Sequence, residues 1–261
     1  PSGQSVKNAA LIPLARHGIH RESVSPGARR TCEMLQKEGF TAYVVGGAVR
    51  DLIAGIVPKD YDIATSATPE QVRSLFRRSR IIGRRFQIVH VMQGSETLEV
   101  STFRAAHDAD TAKDEHGRVL RDNVFGTMAE DAARRDFTVN ALYYDPTTQI
   151  VHDYHHGVAD LKQKVLRMIG EPIVRYREDP VRMLRAVRFA AKLGFTIEPA
   201  AAAPILELGG LLEHIPGARL FEEVLKLLLS GHGRAAFAEL RRQQLLGHLF
   251  PQEAALIERA G

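Results

Sequence analysis

The sequence has one cysteine, no long apolar run and no repeated or low-complexity tract. A single thiol, Cys32, cannot form a disulfide framework, and this favours a reducing compartment. No stretch of about 18 apolar residues is present to cross a membrane, and no charged-then-apolar leader opens the chain. We therefore expect a cytoplasmic protein.

The chain also lacks a strong charge bias, with 35 basic and 31 acidic residues and a formal net charge of +4. This surplus permits an acidic partner such as nucleic acid without requiring one. The 261 residues, 44% of them hydrophobic, suffice for one large or two modest globular domains. Composition alone therefore leaves the function open.

Two common phosphate-binding fingerprints are absent, namely G-x-G-x-x-G and a Walker loop ending in G-K-[ST]. The chain has instead the stretch 44–62, V-V-G-G-A-V-R-D-L-I-A-G-I-V-P-K-D-Y-D. Its first part predicts a buried strand over Thr41–Val45, a Gly46-Gly47 turn and a short helix over Ala48–Ala54. Residues without a Cβ let a turn approach a ligand closely, and the free N–H groups of the next helix suit a phosphate.

The same stretch ends in a pair of carboxylates. The segment Asp60–Ala64 predicts a second strand, and residues i and i+2 of a strand point to one face, so Asp60 and Asp62 emerge together. Two close carboxylates repel each other and attract cations, and hard oxygen ligands favour Mg²⁺ bound together with substrate phosphates. Each half alone has a plain explanation, a simple turn or a solvated strand edge. Together, with Arg50 and Asp51 between them, they favour phosphoryl-type chemistry.

Two further carboxylates are candidates for the same site. A predicted strand over Thr97–Phe103, the second of a hairpin, turns Glu99 away from the core, so Glu99 either joins the aspartates or lies on the wet side of the strand. Asp136 is either a third metal-site carboxylate or the ion-pair partner of Arg134 or Arg135. The sequence leaves both choices open.

One group of basic residues and one group of histidines are ambiguous. Five arginines follow a predicted helix that starts with a capping box: Arg77, Arg78, Arg80, Arg84 and Arg85. They form either a solvated face or a contact for a polyanion. Three histidines have the spacing i, i+3, i+4: His152, His155 and His156. Zinc is disfavoured there, because no predicted helix places them on one face and no cysteine is near.

The order of elements predicts an α+β protein. We expect a mixed-sheet head over residues 1–157, with an irregular arm over 1–23, and then an all-helical region over 158–261. The polar segment 105–122 predicts a mobile loop over the site. Because the last residues still have a helical pattern, we expect the sequence to be a piece of a longer chain.

The most informative predicted helix is Asp179–Leu193, with Asp179 as N-cap, Pro180 at the first position and Gly194 after its end. Its side opposite the apolar face is basic: Arg182, Arg185, Arg188 and Lys192. Such a face is commonly solvated. Three arginines at i+3 spacing in a chain with a phosphate site nevertheless favour contact with a ligand.

Five motifs in order carry a family resemblance. They are G-G-A-V-R-D (46–51), D-Y-D (60–62), R-R-D-F-T-V-N-A-L (134–142), E-D-P-V-R-M-L-R-A-V-R-F (178–189) and R-L-F-E-E (219–223). The set resembles the class II template-independent nucleotidyltransferases, which include poly(A) polymerases and tRNA CCA-adding enzymes. Within this class, residues 176–195 and L-L-E-H-I-P (211–216) are more similar to the poly(A) polymerase branch.

The resemblance implies a small catalytic head on a mixed sheet and a helical neck that reads the incoming base. It implies that Asp60 and Asp62 bind two Mg²⁺ ions, with Asp136, or else Glu99, as the third catalytic carboxylate. The implied nucleotide-binding residues are Gly46, Gly47, Arg50, Arg135, Asp179, Arg182 and Arg188. Among them, Asp179 and Arg182 would present hydrogen-bonding edges to the base.

The implied reaction is attack of an RNA 3′-hydroxyl on the α-phosphorus of ATP, with release of pyrophosphate by a two-metal mechanism. The implied partners are an RNA 3′ end and ATP. We expect no association with a membrane, and we expect the protein to be monomeric. A CCA-adding enzyme remains the alternative within the class. A non-catalytic RNA-binding module is the alternative outside it, although such a descendant would be expected to lose the aspartate pair.

Overall fold

A computed structural model describes residues 8–83, 86–105 and 125–260. Internal contacts divide the chain into two units. The first contains the described residues up to Arg135 together with Val139–Val158, and the second contains Asp136–Thr138 together with the residues from Ala159 onward. Among the described residues, no helix is long and apolar enough to cross a membrane.

The first unit is built on a mixed sheet. Its strands are β1 (Ala10–Ile12), β2 (Ala42–Val45), β3 (Asp62–Thr65), β4 (Ser79–Ile82), β5 (Ile88–Gln93), β6 (Glu96–Thr102), β7 (Leu142–Asp145) and β8 (Ile150–Asp153). They form an eight-stranded sheet in the order β1-β8-β7-β2-β3-β6-β5-β4. Neighbouring strands are antiparallel except β3 and β6, which are parallel. The predicted hairpin is confirmed as β5 and β6.

The helices of the first unit follow the predicted capping signals. They are α1 (Leu14–His17), α2 (Pro26–Lys37), α3 (Gly47–Ile53), α4 (Pro69–Leu75) and α5 (Met128–Ala133). Thr68 and Thr127 each accept a hydrogen bond from the backbone N–H three residues later, and each completes a capping box. Local sequence therefore sets where α4 and α5 begin.

Packing buries one face of the sheet along β3, β6, β5 and β4. Helices α2 and α4 contact these strands. The buried face carries apolar side chains with 1% exposure or less: Val89, Val91, Leu98 and Val100. The alternating residues on the other face include Asp62 and Glu99, which are exposed, and His90, which is half-buried. Within the ranges that the structure describes, these strands therefore present one open, polar face.

The predicted irregular arm over residues 1–23 is wrong for its described part. Strand β1 pairs antiparallel with β8, with Ala10 opposite Asp153, and α1 follows it. His17 is buried, and its Nε2 lies 2.9 Å from the carbonyl oxygen of Gln149. A three-residue strand is too short to show an alternating pattern, so its pairing is determined by tertiary contacts.

The second unit is helical with a small sheet. Its helices are α6 (Gly157–Gln163), α7 (Pro172–Glu178), α8 (Val181–Leu193), α9 (Pro199–Leu208), α10 (Gly217–Leu229), α11 (Gly233–Arg242), α12 (Leu246–Leu249) and α13 (Pro251–Ala260). Strands β9 (Val165–Leu166) and β10 (Thr196–Ile197) pair in parallel. The expectation of helices alone is thus wrong, because two-residue strands leave no periodic signal. The α+β class is confirmed.

Two predictions fall on residues outside the described ranges. The loop predicted over 105–122 lies there except for Ala105, and so do Arg84 and Arg85 of the basic cluster. The other arginines of that cluster, Arg77, Arg78 and Arg80, are described and exposed.

Candidate active site

The Gly-Gly turn joins the end of β2 to the start of α3, as the sequence predicts. Gly46 has a φ of +72°, and its N–H donates to the carbonyl oxygen of Leu142 on β7. A Cβ added at Gly46 would lie 3.3 Å from Nη1 of Arg135 and 3.6 Å from the carbonyl oxygen of Asn140. Both the left-handed backbone and the close neighbours therefore favour glycine at this position.

Arg50 supports the turn from inside the protein. Arg50 is only 4% exposed to solvent. Its Nε and Nη2 donate to Oδ1 of Asp51 at 2.9 and 2.7 Å, and its Nη1 donates to Oδ1 of Asn140 at 2.7 Å. Sequence reasoning assigns Arg50 to the triphosphate, whereas the structure places its guanidinium in a buried network. The geometry supports a role in holding the turn.

Arg135 lies beside the turn and is fixed by a buried pair. Its Nε donates to the Tyr143 hydroxyl at 3.1 Å, and its Nη2 donates to Oδ2 of Asp131 at 3.2 Å. The Tyr143 hydroxyl donates to the same carboxylate at 2.6 Å. Burial opposes ionisation of Asp131, but Arg135 and Arg134 hold the pKa of this carboxyl below its usual value. Sequence reasoning overlooked Asp131, although its i, i+3, i+4 spacing to two arginines is a usable signal.

The two aspartates lie at the start of β3. The strand begins at Asp62, so Asp60 precedes it by two residues, and both residues are exposed. The predicted strand therefore starts two residues too early. Asp62 is opposite Val45 on one side and opposite Glu99 on the other. Since Val45 precedes the Gly-Gly turn, Asp62 lies between the turn and Glu99.

The electrostatics of Asp62 fit a cation. Asp62 is solvent-accessible, but the neighbouring protein partly removes water from its carboxylate. This desolvation and the nearby Glu99 and Asp60 carboxylates raise the pKa of Asp62 to about 6, although Arg135 acts to lower it. Among the described residues, no group of three or more His, Cys, Asp or Glu side chains is arranged to hold a metal ion. Carboxylate oxygens are hard ligands of the kind that Mg²⁺ takes together with substrate phosphates.

Glu99 and Asp136, the two candidates for a third carboxylate, have different surroundings. Glu99 belongs to the first unit, and its Oε1 lies 3.4 Å from Nε2 of His90. Asp136 belongs to the second unit, where its Oδ2 accepts a hydrogen bond from Nε of Arg185 at 2.6 Å. Arg134 and Arg135, which the sequence offers as ion-pair partners of Asp136, both pair with Asp131. The structure therefore brings Glu99, by strand register, beside Asp62.

In the second unit, the proposed base readers both have partners. Helix α8 begins at Val181 with Pro180 as its cap, so the prediction of Asp179 as N-cap is wrong by one residue. Asp179 nevertheless accepts from the Val181 N–H at 3.3 Å, and its Oδ2 accepts from Arg219 at 2.7 Å. Arg182 donates to Oε2 of Glu178 at 2.9 Å.

The basic side of α8 is paired with carboxylates. Besides the Arg185–Asp136 pair, Nε of Arg188 lies 3.4 Å from Oε2 of Glu223, which is 6% exposed. The basic face of α8 is therefore not simply solvated, because Arg185 and Arg188 pair with carboxylates. Sequence reasoning did not single out Glu223 as a partner of this basic face, although the residue lies in the R-L-F-E-E motif (219–223).

A glycine turn beside an Asp-x-Asp segment, on a mixed sheet followed by helices, is the arrangement of a nucleotidyltransferase head. Residues 42–167 match the family described as "Poly A polymerase head domain", and residues 194–256 match the family described as "Probable RNA and SrmB-binding site of polymerase A". The chain belongs to the class II nucleotidyltransferase family that bacterial poly(A) polymerase I shares with the CCA-adding enzymes. Proteins of this family typically use metal ions, and the family implies nucleotide and RNA substrates.

Individual relatives refine this assignment. Poly(A) polymerase I of Salmonella typhimurium is 51% identical over 247 residues, covering 92% of this chain and 53% of that protein. The CCA-adding enzyme of Lactobacillus helveticus is 41% identical over 206 residues, covering 78% and 50%. The crystal structure of the Bacillus stearothermophilus CCA-adding enzyme in complex with CTP has a TM-score of 0.72 and 35% identity, covering 85% of this chain and 53% of that one. The chain thus spans about half the length of these relatives.

Proposed function

We propose that this chain transfers AMP from ATP to an RNA 3′-hydroxyl without a template and releases pyrophosphate. The observation that carries the choice is the 51% identity to a poly(A) polymerase I, against 41% to a CCA-adding enzyme. The presence of Asp60 and Asp62 argues against a non-catalytic RNA-binding module. The division into a head over 1–157 and a helical region over 158–261 belongs to the same proposal, as do a monomeric state and a cytoplasmic location.

The first unit supplies the groups that act on the phosphates. Asp60 and Asp62 would hold Mg²⁺, with Glu99 as the neighbouring third carboxylate. Bound there, Mg²⁺ would neutralise phosphate charge and favour ionisation of the attacking hydroxyl. Gly46 allows the backbone to approach the triphosphate, and Arg135 adds a fixed positive charge beside it.

The second unit supplies the groups that select the base. Asp179 offers a carboxylate that can accept from the exocyclic amine of adenine, and Arg182 offers a planar set of donors to a ring nitrogen. Each already has a partner in the protein, Arg219 and Glu178 respectively. Binding of the correct base would therefore exchange these hydrogen bonds for new ones, whereas a wrong base would displace them without replacing them.

The test is incubation of the chain with RNA, Mg²⁺ and each nucleotide triphosphate separately. Long tails with ATP alone are expected. Addition limited to C, C and A on a tRNA would instead establish the CCA-adding alternative. RNA binding without any incorporation would establish the binding module. Asp60→Asn and Asp62→Asn should abolish incorporation, while Glu222→Gln, which removes an exposed carboxylate of α10, should not.

A further inference from the structure

A row of side chains crosses four strands on the open face of the first unit. Arg80 on β4 is opposite His90 on β5, His90 is opposite Glu99 on β6, and Glu99 is opposite Asp62 on β3. Residues directly opposite each other on paired strands point to the same face of a sheet. Because neighbouring strands are about 4.8 Å apart, Arg80 lies about 14 Å from Asp62 along this row.

The far end of this row carries an available positive charge. Arg80 is exposed on an edge strand, and among the described residues it forms no salt bridge or side-chain hydrogen bond. His90 stands between it and Glu99 and directs Nε2 toward that carboxylate at 3.4 Å. Glu99 therefore has a nearer partner than Arg80, and the guanidinium remains available for an external anion.

The reaction geometry indicates which anion this is. On the other side of Asp62 lies Val45, which leads into the Gly-Gly turn beside Arg135, where the proposed function places the triphosphate. In phosphoryl transfer the attacking and leaving oxygens lie roughly in line on opposite sides of the phosphorus. In-line attack therefore favours an approach of the attacking strand to Asp62 from the side of β6, β5 and β4, along the row.

We propose that Arg80 binds a backbone phosphate of the RNA strand whose 3′ end lies at Asp62. This inference rests on the proposed function. With a rise of about 3.4 Å per nucleotide in a helical strand, about 14 Å corresponds to about four nucleotides from the 3′ end, and fewer in an extended strand. A guanidinium binds a phosphate through two parallel N–H donors and does not read the base. Such a contact suits an enzyme that extends 3′ ends without a template.

The test compares Arg80→Ala with Arg80→Lys and with Arg73→Ala. Arg73 is the matched control, because it is an exposed arginine on α4, the helix that packs on the covered face of the same strands. Steady-state extension with ATP is measured on an oligoadenylate of about ten nucleotides, long enough to pass Arg80, and on a dinucleotide, too short to reach it. Melting curves confirm that each variant is folded.

For the oligonucleotide, Arg80→Ala should raise the RNA KM about five- to tenfold and reduce the salt slope of binding by about 0.7. The KM for ATP, and the extension of the dinucleotide, should not change. Arg80→Lys should recover part of the loss, and Arg73→Ala should match the unmodified chain.

If the unmodified chain is active and Arg80→Ala and Arg73→Ala have equal RNA KM values, the proposed phosphate contact is refuted and the proposed function is not. An equal effect on the dinucleotide, or a raised KM for ATP, would also overturn the phosphate contact, because the residue would then act at the reacting end. If the unmodified chain binds RNA but extends neither primer, the proposed function fails and the phosphate contact fails with it.

Discussion

Replacing Asp62 with Asn should abolish nucleotide transfer and yet stabilise the metal-free protein at neutral pH. The carboxylate is desolvated by its neighbours and lies near Glu99 and Asp60, so its pKa is raised from 3.8 to about 6, with Arg135 opposing the shift. An amide is nearly the same size and carries no charge. The substitution therefore removes the repulsion without opening a cavity.

The sign and size of the effect follow from linkage. Since the folded-state pKa of Asp62 lies above the unfolded-state value, the folded protein binds the proton more tightly, and ionisation costs stability as pH rises from 3.8 to about 6. A shift of this size corresponds to at most about 3 kcal/mol. Because Asp62 is solvent-exposed, screening reduces this to about 1 kcal/mol. For a chain of this size that is a rise of about 2–4 °C in Tm above pH 6.

The assay is thermal unfolding in EDTA from pH 4 to pH 8 for the unmodified chain, Asp62→Asn and Glu222→Gln. The gain from Asp62→Asn should be absent near pH 4 and complete above about pH 6, with Glu222→Gln unchanged throughout. Added Mg²⁺ should then raise the Tm of the unmodified chain more than that of Asp62→Asn, because a ligand stabilises only the state that binds it. A loss of stability at pH 7 in EDTA, or transfer activity within tenfold of the unmodified chain, would refute this account of Asp62.

Three further outcomes are expected. Glu99→Gln should lower the transfer rate with little change in Tm, whereas Asp136→Asn should cost about 2–3 kcal/mol of stability, measured by urea unfolding, because Arg185 would lose its 2.6 Å carboxylate partner and keep only Glu223 at 4.0 Å; the reverse pattern would make Asp136 the third carboxylate. Asp179→Ala should flatten the preference for ATP over GTP and UTP; unchanged nucleotide ratios with a lowered Tm would leave Asp179 only as a partner of the Val181 N–H and of Arg219. RNA binding should be weak and fall steeply with salt, so tight binding that persists in high salt would contradict a few-phosphate interface.

Local signals predicted much of the fold. Capping boxes at Thr68 and Thr127 mark the starts of α4 and α5, and the alternating pattern of residues 97–103 gives β6 and the outward direction of Glu99. The Gly46-Gly47 turn follows from residues adjacent in sequence. These features depend on contacts within a few positions, and a sequence displays such contacts directly.

The missed features depend on contacts between distant residues. Arg50 has a partner 90 residues away in Asn140, and Asp136 has one 49 residues away in Arg185. Neither pairing has a periodic signature, because a hydrogen bond or an ion pair requires only that two side chains meet in space. The basic helix α8 was predicted correctly as amphipathic, but the carboxylates that neutralise its arginines could not be found from its own sequence.

The hydrogen bond from Gly46 to Leu142 also has a consequence for the order of folding. Residues 47–141 must be synthesised before the turn can adopt its folded backbone conformation, because β2 pairs with β7 as well as with β3. Closing a loop of this length costs conformational entropy before any contact repays it. During synthesis, the glycine turn would therefore emerge long before it is structured. A truncation series ending on either side of Leu142 should show protection of the turn from proteolysis only in the longer members.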